Sequence, residues 1–433
     1  MSAGQEGLIP AGIGTPEINP TAAVVAIAGE RETMKRKILL AALAATALSA
    51  GSALAQTSVK LGVLNDRSGI YSDLAGEGSV AAARLAVEDF KAAEKGIKVD
   101  IIAADHQNKP DVGSNIARQW YDADGVDVIL DVPTSSVGLA VNQVTREKNK
   151  IMLNSGAATS DLTGAQCSPN TIHWTYDTVM LSNGTAGAMT KAGGDSWFFM
   201  TADYAFGHAL ERDATAVINK SGGKVVGAVK TPFPGQDFSS FLLQAQASKA
   251  KVIGLANAGG DTINSVKQAS EFGITQGGQK LAGLLVFSSD VKALGLKAAQ
   301  GLVLTESFYW DLNDQTRAFS KRFAAKHGGK MPTMVQAGVY SATLHYLKAV
   351  EALKGKEPKA VMAKMKELPT DDDAFGKGSV RPDGRKLHNS YLFEVKKPEE
   401  SKGEWDMYKL LSTIPAEQSF RPLGEGGCAL AKG

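Results

Sequence analysis

Three short polar clusters carry the chemistry this sequence offers: Ser68-Gly69-Ile70-Tyr71, Pro133-Thr134-Ser135-Ser136 and Gly156-Ala157-Ala158-Thr159-Ser160-Asp161. Each follows an apolar run of strand length and precedes a helical pattern or a helix-like turn. Backbone N–H groups at a helix start, flanked by Ser and Thr hydroxyls, form a neutral cradle suited to a carboxylate. Ordinary helix capping uses the same residue types, so one cluster alone does not separate a site from a cap. Three at one edge of one sheet point to a site, because ligands of open α/β sheets sit beyond the carboxyl ends of the strands.

What is missing narrows the chemistry further. The six histidines, at positions 106, 173, 208, 327, 345 and 388, are too widely spaced for an H-x-x-x-H metal pattern and are expected as surface or capping residues. Neither G-x-S-x-G nor G-x-x-x-x-G-K-[ST] occurs, so no nucleophile or phosphate loop stands out. The expectation is a non-enzyme with no metal and no cofactor. Gly76-Glu77-Gly78-Ser79-Val80-Ala81 does fit G-x-G-x-x-A, with Asp105 where a ribose-binding acid would stand. A dinucleotide site, however, places its first Gly almost directly after the strand. Here the polar loop 65–75 intervenes.

The elements that must position these clusters alternate. Strand-length runs at residues 59–64, 99–103, 126–130 and 151–153 are separated by helical periods near 80–90, 112–123 and 137–148, with Ser79 as the expected N-cap of the first helix. After a loop at 154–169 the pattern restarts, with helices near 179–191, 208–220, 238–248 and 261–272 between strands near 197–200, 224–229, 252–255, 281–287 and 302–304. Two α/β sets of similar size predict two lobes with parallel sheets. Helices follow at 314–327, 335–353 and 359–367. The turn Arg381-Pro382-Asp383-Gly384-Arg385 then lies between candidate strands at 379–380 and 391–395, with another at 405–411, which reads as a hairpin appended to one lobe.

A near balance of 47 basic and 45 acidic residues gives no reason to expect nucleic acid. Met34 opens a segment in which Lys35, Arg36 and Lys37 precede an apolar run and Ala53-Leu54-Ala55 offers a small-x-small site. That is the pattern of a signal peptide over 34–55, cleaved near Ala55 for export to the periplasm. Residues 1–33 fit no such role and are read as a mis-assigned extension ahead of a start at Met34. Cys167 and Cys428, the two cysteines of the chain, are a disulfide candidate in an oxidising compartment; two unpaired thiols are the alternative.

In these residues the chain resembles the solute-binding proteins of ABC importers, of the branched-chain amino-acid type, over residues 59–411. The resemblance is carried by Ser68-Gly69 and Gly76, the Ser135-Ser136 turn, the stretch from Asn154 to Thr163, and Asp203-Tyr204-Ala205-Phe206-Gly207. It implies a type I periplasmic-binding fold, an α/β architecture of two Rossmann-like lobes with three crossovers near Tyr176, Phe308 and Asp372. Lobe 1 would take residues 58–175 and 308–370, and lobe 2 residues 178–305 and 374–414. A tail, 415–433, would return Cys428 to Cys167.

The same resemblance assigns a ligand carboxylate to Thr134, Ser135, Ala157 and Thr159. Amino-acid binders also place a Thr near Ala158, and a Tyr and a Glu in the second lobe to hold the ammonium group. Here the stretches Ala256-Asn257-Ala258-Gly259-Gly260-Asp261 and Phe287-Ser288-Ser289-Asp290 lack the Tyr and offer Asp290 for the Glu. An uncompensated ammonium in a closed cleft is costly. Aromatic residues near the cleft, among them Tyr71, Tyr204 and Trp310, suit an aromatic acid such as a benzoate or cinnamate. Asp237-Phe238-Ser239-Ser240 and Phe308-Tyr309-Trp310-Asp311 look like the aromatic-acid branch of the family. The expected ligand set is therefore Ser68, Tyr71, Thr134, Ser135, Ala157, Thr159, Tyr204, Asp290 and Trp310. Expected partners are a small carboxylate and a membrane permease with its ATPase, with the binding protein itself a monomer. Amino-acid or amide uptake, a ligand sensor for a membrane receptor and an exported hydrolase are the alternatives.

Overall fold

Strand β1 (Thr57–Asn65) buries Val59, Leu61, Val63 and Leu64 on both of its faces, the signature of a central parallel strand. It is seen in a computed structural model that describes residues 56–432 and, ahead of them, only positions 14, 16 and 34. The expected signal peptide and extension thus fall outside the described residues. Around β1 lie β2 (Ile97–Asp105), β3 (Val128–Asp131), β4 (Ile151–Asn154) and β5 (Thr171–His173), in the order β2-β1-β3-β4-β5, every neighbouring pair parallel.

The second sheet comprises β6 (Ser196–Ala202), β7 (Lys224–Thr231), β8 (Val252–Ala256), β9 (Lys280–Gly283) and β10 (Val303–Glu306), all parallel. To this parallel core the chain appends an antiparallel hairpin, as expected for one lobe. Past the two-residue pair β11 (Ser379–Val380) and β12 (Lys386–Leu387), strands β13 (Ser390–Val395) and β14 (Tyr408–Ile414) add to its β10 edge in antiparallel sense, giving the order β14-β13-β10-β9-β8-β6-β7. The turn at Arg381–Arg385 therefore closes β11 on β12 and does not lead straight into β13. The Arg385 side chain is the reason. It is fully buried, and its guanidinium donates to Thr175 O at 2.8 Å, which draws the turn inward.

Other boundaries move for local reasons. The first helix begins at Gly76, not after Ser79, because Asn65 Nδ2 holds the Gly76 carbonyl at 2.8 Å and so starts the helix a turn early. Ser79 is buried within it. The apolar run 281–287 is strand only to Gly283; its remainder peels away as a loop carrying Leu285 and Phe287 to the cleft. Four histidines expected at the surface, His106, His173, His345 and His388, are instead buried. Desolvation holds them neutral, with His106 and His345 pushed down to about 4.

The chain passes between the two sheets three times: after β5, after β10, and between the helix Pro358–Glu367 and β13. Helix Met334–Leu353, buried nearly all round, packs on helix Gly76–Phe90 and supports the first sheet.

Candidate functional site

The loop after β1 is fixed by one carboxylate. Asp66 accepts the N–H groups of Gly69 at 2.7 Å and Tyr71 at 2.8 Å, and Asn108 Nδ2 at 2.7 Å. The ordered loop sets the Tyr71 hydroxyl 2.6 Å from that of Tyr204, which stands at the head of helix Ala205–Lys220 beyond β6. Phe233 stacks on Tyr204 with ring centroids 3.9 Å apart. The loops after β3 and β4 form the floor. A Cβ on Gly156 would lie 2.4 Å from Pro133 Cα, so only glycine lets these two loops meet. Tyr176, on the first passage between the sheets, donates its hydroxyl to Gly156 O at 2.7 Å and meets Phe287 edge-on at 5.9 Å.

Tyr71, Pro133, Gly156, Ala158 and Tyr176 thus face Tyr204, Phe206, Ala258, Leu285 and Phe287. The room left between them for the centre of a water molecule is about 10 Å³, barely enough for one water. The lobes are closed on one another, and a ligand enters only when they part. None of these lining residues is Lys or Arg.

Acids surround the cleft instead. Burial raises Asp131, Asp261 and Asp290 to about 7, and Glu306 well above the usual carboxylate range. Near neutrality these groups therefore carry only part of their charge. Just before Pro133, Asp131 and Val132 have φ of 82° and 56°. For a β-branched residue that is a strained conformation, of the kind that persists where surrounding structure holds a functional loop.

The residues expected from sequence are divided by the structure. Tyr71 and Tyr204 line the cleft. Thr134, Ser135, Ala157 and Thr159 are gathered just behind its floor, with their polar atoms turned on their neighbours. Thr134 Oγ1 donates to Asn108 Oδ1; Ser135 Oγ accepts Thr159 N–H at 3.1 Å; the Ala157 N–H donates to Asn154 Oδ1 at 3.1 Å. Ser68 is exposed and donates to Asp105 Oδ2 at 2.6 Å, away from the cleft. Asp290 is engaged at the start of its own helix, accepting Phe287 N–H at 3.0 Å. Trp310 is half-buried and bonds Trp405 O at 2.8 Å through Nε1, fastening the second passage to the β13–β14 loop. Cys167 and Cys428 form a disulfide, Cα atoms 5.6 Å apart.

Tyr176, Phe206 and Phe287 join the walls as aromatic residues following strands. Asp261, in the first turn of helix Gly260–Glu271, carries no site signal in the sequence, because Gly-Gly-Asp after a strand reads as a turn.

Two sheets facing each other by their carboxyl edges, with a closed cleft between, define a class of two-lobed binding proteins. The chain belongs to the periplasmic binding protein family, which it matches over residues 58–404. Its relatives narrow the class to the substrate-binding proteins of ABC transporters. It is similar to a periplasmic binding protein of Burkholderia mallei, 49% identical, covering 86% of this chain and 99% of that one with a TM-score of 0.84. A branched-chain amino acid ABC transporter periplasmic ligand-binding protein of Burkholderia xenovorans is 44% identical, covering 86% of this chain and 100% of that one, TM-score 0.77. A solute-binding protein of R. palustris in complex with benzoate shares the fold at 21% identity, covering 86% of this chain and 99% of that one, TM-score 0.76. Membership implies a periplasmic location and a small-molecule ligand handed to a membrane transporter.

Proposed function

We propose that this protein captures a small aromatic acid, benzoate- or cinnamate-like, and delivers it to the permease and ATPase of an ABC importer. The observation that carries this reading is the wall of the cleft: Tyr71, Tyr176, Tyr204, Phe206 and Phe287 present flat apolar faces with no cation among them. A ring is held by such faces, while its carboxylate needs neutral donors. The start of helix Ser135–Glu147 supplies them, since its N-cap Thr134 turns its hydroxyl to Asn108 and makes no side-chain cap. First-turn N–H groups beside Pro133 are thereby left for an anion. Capture works by closure of lobe 1 (58–175 with 308–370) on lobe 2 (178–305 with 374–414), the ligand selecting the closed form within a single copy of the chain.

Thermal unfolding of the chain from Gln56, stripped of ligand by unfolding and refolding, tests the reading. An aromatic acid at 100 times its Kd adds roughly 2.7 kcal/mol, a shift of a few degrees. Tyr204→Ala removes a wall and weakens aromatic-acid binding by about tenfold or more; unchanged affinity would sink the aromatic cleft. An amino-acid ligand is the second reading. It is favoured by the buried carboxylate of Asp261, and a shift with leucine alone would establish it.

A further inference from the structure

Asp261 is 1% exposed. Its Oδ1 accepts the Gly235 N–H at 2.9 Å, and its Oδ2 is buried with no hydrogen-bond partner. Two neighbouring acids of the same lobe are better supplied: Asp290 Oδ2 takes the Phe287 N–H and Glu306 takes the Tyr408 hydroxyl at 2.8 Å. Asp131, on the first lobe, takes Asn65 Nδ2 at 2.9 Å on Oδ2 and also keeps a buried oxygen, Oδ1, without a partner. A buried acceptor without a donor is destabilising, so an unfilled one beside a cleft points to a group that fills it.

Its surroundings place Asp261 at the cleft. Gly235, which it holds, follows Phe233 by two residues, and Phe233 stacks on Tyr204 and lies 5.8 Å from the Tyr71 ring. The Ala258–Asp261 turn is pressed against the first lobe, with Gly260 N–H 3.4 Å from Ile70 O. Asp261 also helps to raise the pKa of both the Tyr71 and Tyr204 phenols. The two hydroxyls now satisfy each other at 2.6 Å, and any ligand that parts the lobes must replace that contact.

We infer that Asp261, with the Tyr71 and Tyr204 hydroxyls, reads a hydrogen-bond donor on the ligand, either a phenolic hydroxyl or an ammonium group. The inference rests on the cleft being the site for a small carboxylate. It makes Asp261 a specificity-determining residue. A ligand with a donor parts the two hydroxyls and satisfies Oδ2, whereas a donor-less analogue of the same shape leaves the oxygen unpaired. Sites built to bond a ligand hydroxyl or N–H reject the analogue lacking it far more strongly than a hydrophobic pocket rejects a missing methylene.

The test is calorimetric titration of the chain from Gln56 with two matched pairs: 4-hydroxybenzoate against benzoate, and leucine against 4-methylpentanoate, which is leucine without its amino group. In whichever pair binds, the donor-bearing member is expected to bind at least about tenfold tighter. Asp261→Ala reduces the difference to within about twofold. Asp261→Asn, which keeps an acceptor for Gly235 and turns its amide donor towards the site, does the same; cooperative melting of the variants shows that the fold is retained. Equal binding within a pair by the wild-type protein, or a preference that survives both substitutions, overturns the inference while aromatic-acid uptake stands if benzoate binds. Binding confined to leucine, with a preference lost in the variants, upholds the inference and overturns the aromatic reading. Silence from all four overturns both.

Discussion

At the carboxyl edge of the first sheet the polar groups bond one another: Asp66 to Asn108, Asn108 to Thr134, Ser135 to Thr159, Asn154 to Ala157. At the facing edge of the second sheet, aromatic rings stand forward and carboxylates lie behind them. Each edge holds an acid with one unmatched buried oxygen, Asp131 Oδ1 on the first and Asp261 Oδ2 on the second. The first edge is a platform whose loops are held before any ligand arrives, which lowers the ordering cost of binding. The second is a cover whose fit to the platform decides closure, and whose Asp261 is the group we propose to select the ligand. In a two-lobed binder, then, residues with the right chemistry for a ligand need not be the ones that touch it; some serve to hold the loops that do.

The contrast is broken most severely by keeping the cover from seating. Gly259 has φ of 56°, and a Cβ there would lie 2.7 Å from Ile70 O and 2.8 Å from the Tyr71 ring. Gly259→Ala is expected to leave lobe 2 folded while blocking closure, with affinity falling about 100-fold, or ~2.7 kcal/mol. Titration gives the affinity, and solution scattering should show a larger radius of gyration in the presence of ligand than for the wild type. A compact variant with full affinity would refute the seating.

Asp131 is the platform acid that burial drives towards its neutral form, and replacing it sharpens the contrast. Burial pushes its carboxyl up from the ordinary 3.8 to about 7, so the folded protein keeps a proton that the unfolded chain has released. The stability it contributes is full below the unfolded pKa and is lost as pH rises through the folded one. Asp131→Asn, which retains an acceptor for Asn65, is therefore expected to gain on the wild type progressively between about pH 4 and 7, by up to ~4 kcal/mol at pH 8. Denaturant melts at pH 5 and pH 8 measure this; a difference independent of pH would show that Asp131 is not buried as described. The smallest effect belongs to Ser68. Ser68→Ala should change ligand affinity by less than about 0.5 kcal/mol, since its hydroxyl faces Asp105 at the surface; a larger loss on titration would put Ser68 back in the site.

Much of the scaffold could be read from periodicity, since β1, β3 and β4 are apolar runs ended by Asp, Asn and Pro, and helices follow at 3.6-residue spacing. Tyr71 and Tyr204 were legible because each lies just past a strand end beside Gly or Ala. Side-chain direction was not. Ser68 sits three residues from Tyr71 in the same loop yet faces outward, because Asp66 fixes the turn between them. The hydroxyls of Thr134 and Ser135 looked like a ligand cradle because capping, loop bracing and carboxylate binding all use the same groups. Asp261 carries no local mark, and its free oxygen follows only from the approach of Gly235 and of the first lobe. The antiparallel addition of β13 and β14 to β10 pairs residues 303–306 with 391–394, a register no local pattern encodes.

The bond between Cys167 and Cys428 spans a sequence separation of 261. All three passages between the sheets fall inside that interval, and the tail leaves the second sheet at Ile414 to reach Cys167, beyond β4 of the first. The two lobes are thus linked as parts of a covalent ring as well as by hinges. A protease that cuts any single passage opens the ring without dividing the molecule, and neither lobe can be shed.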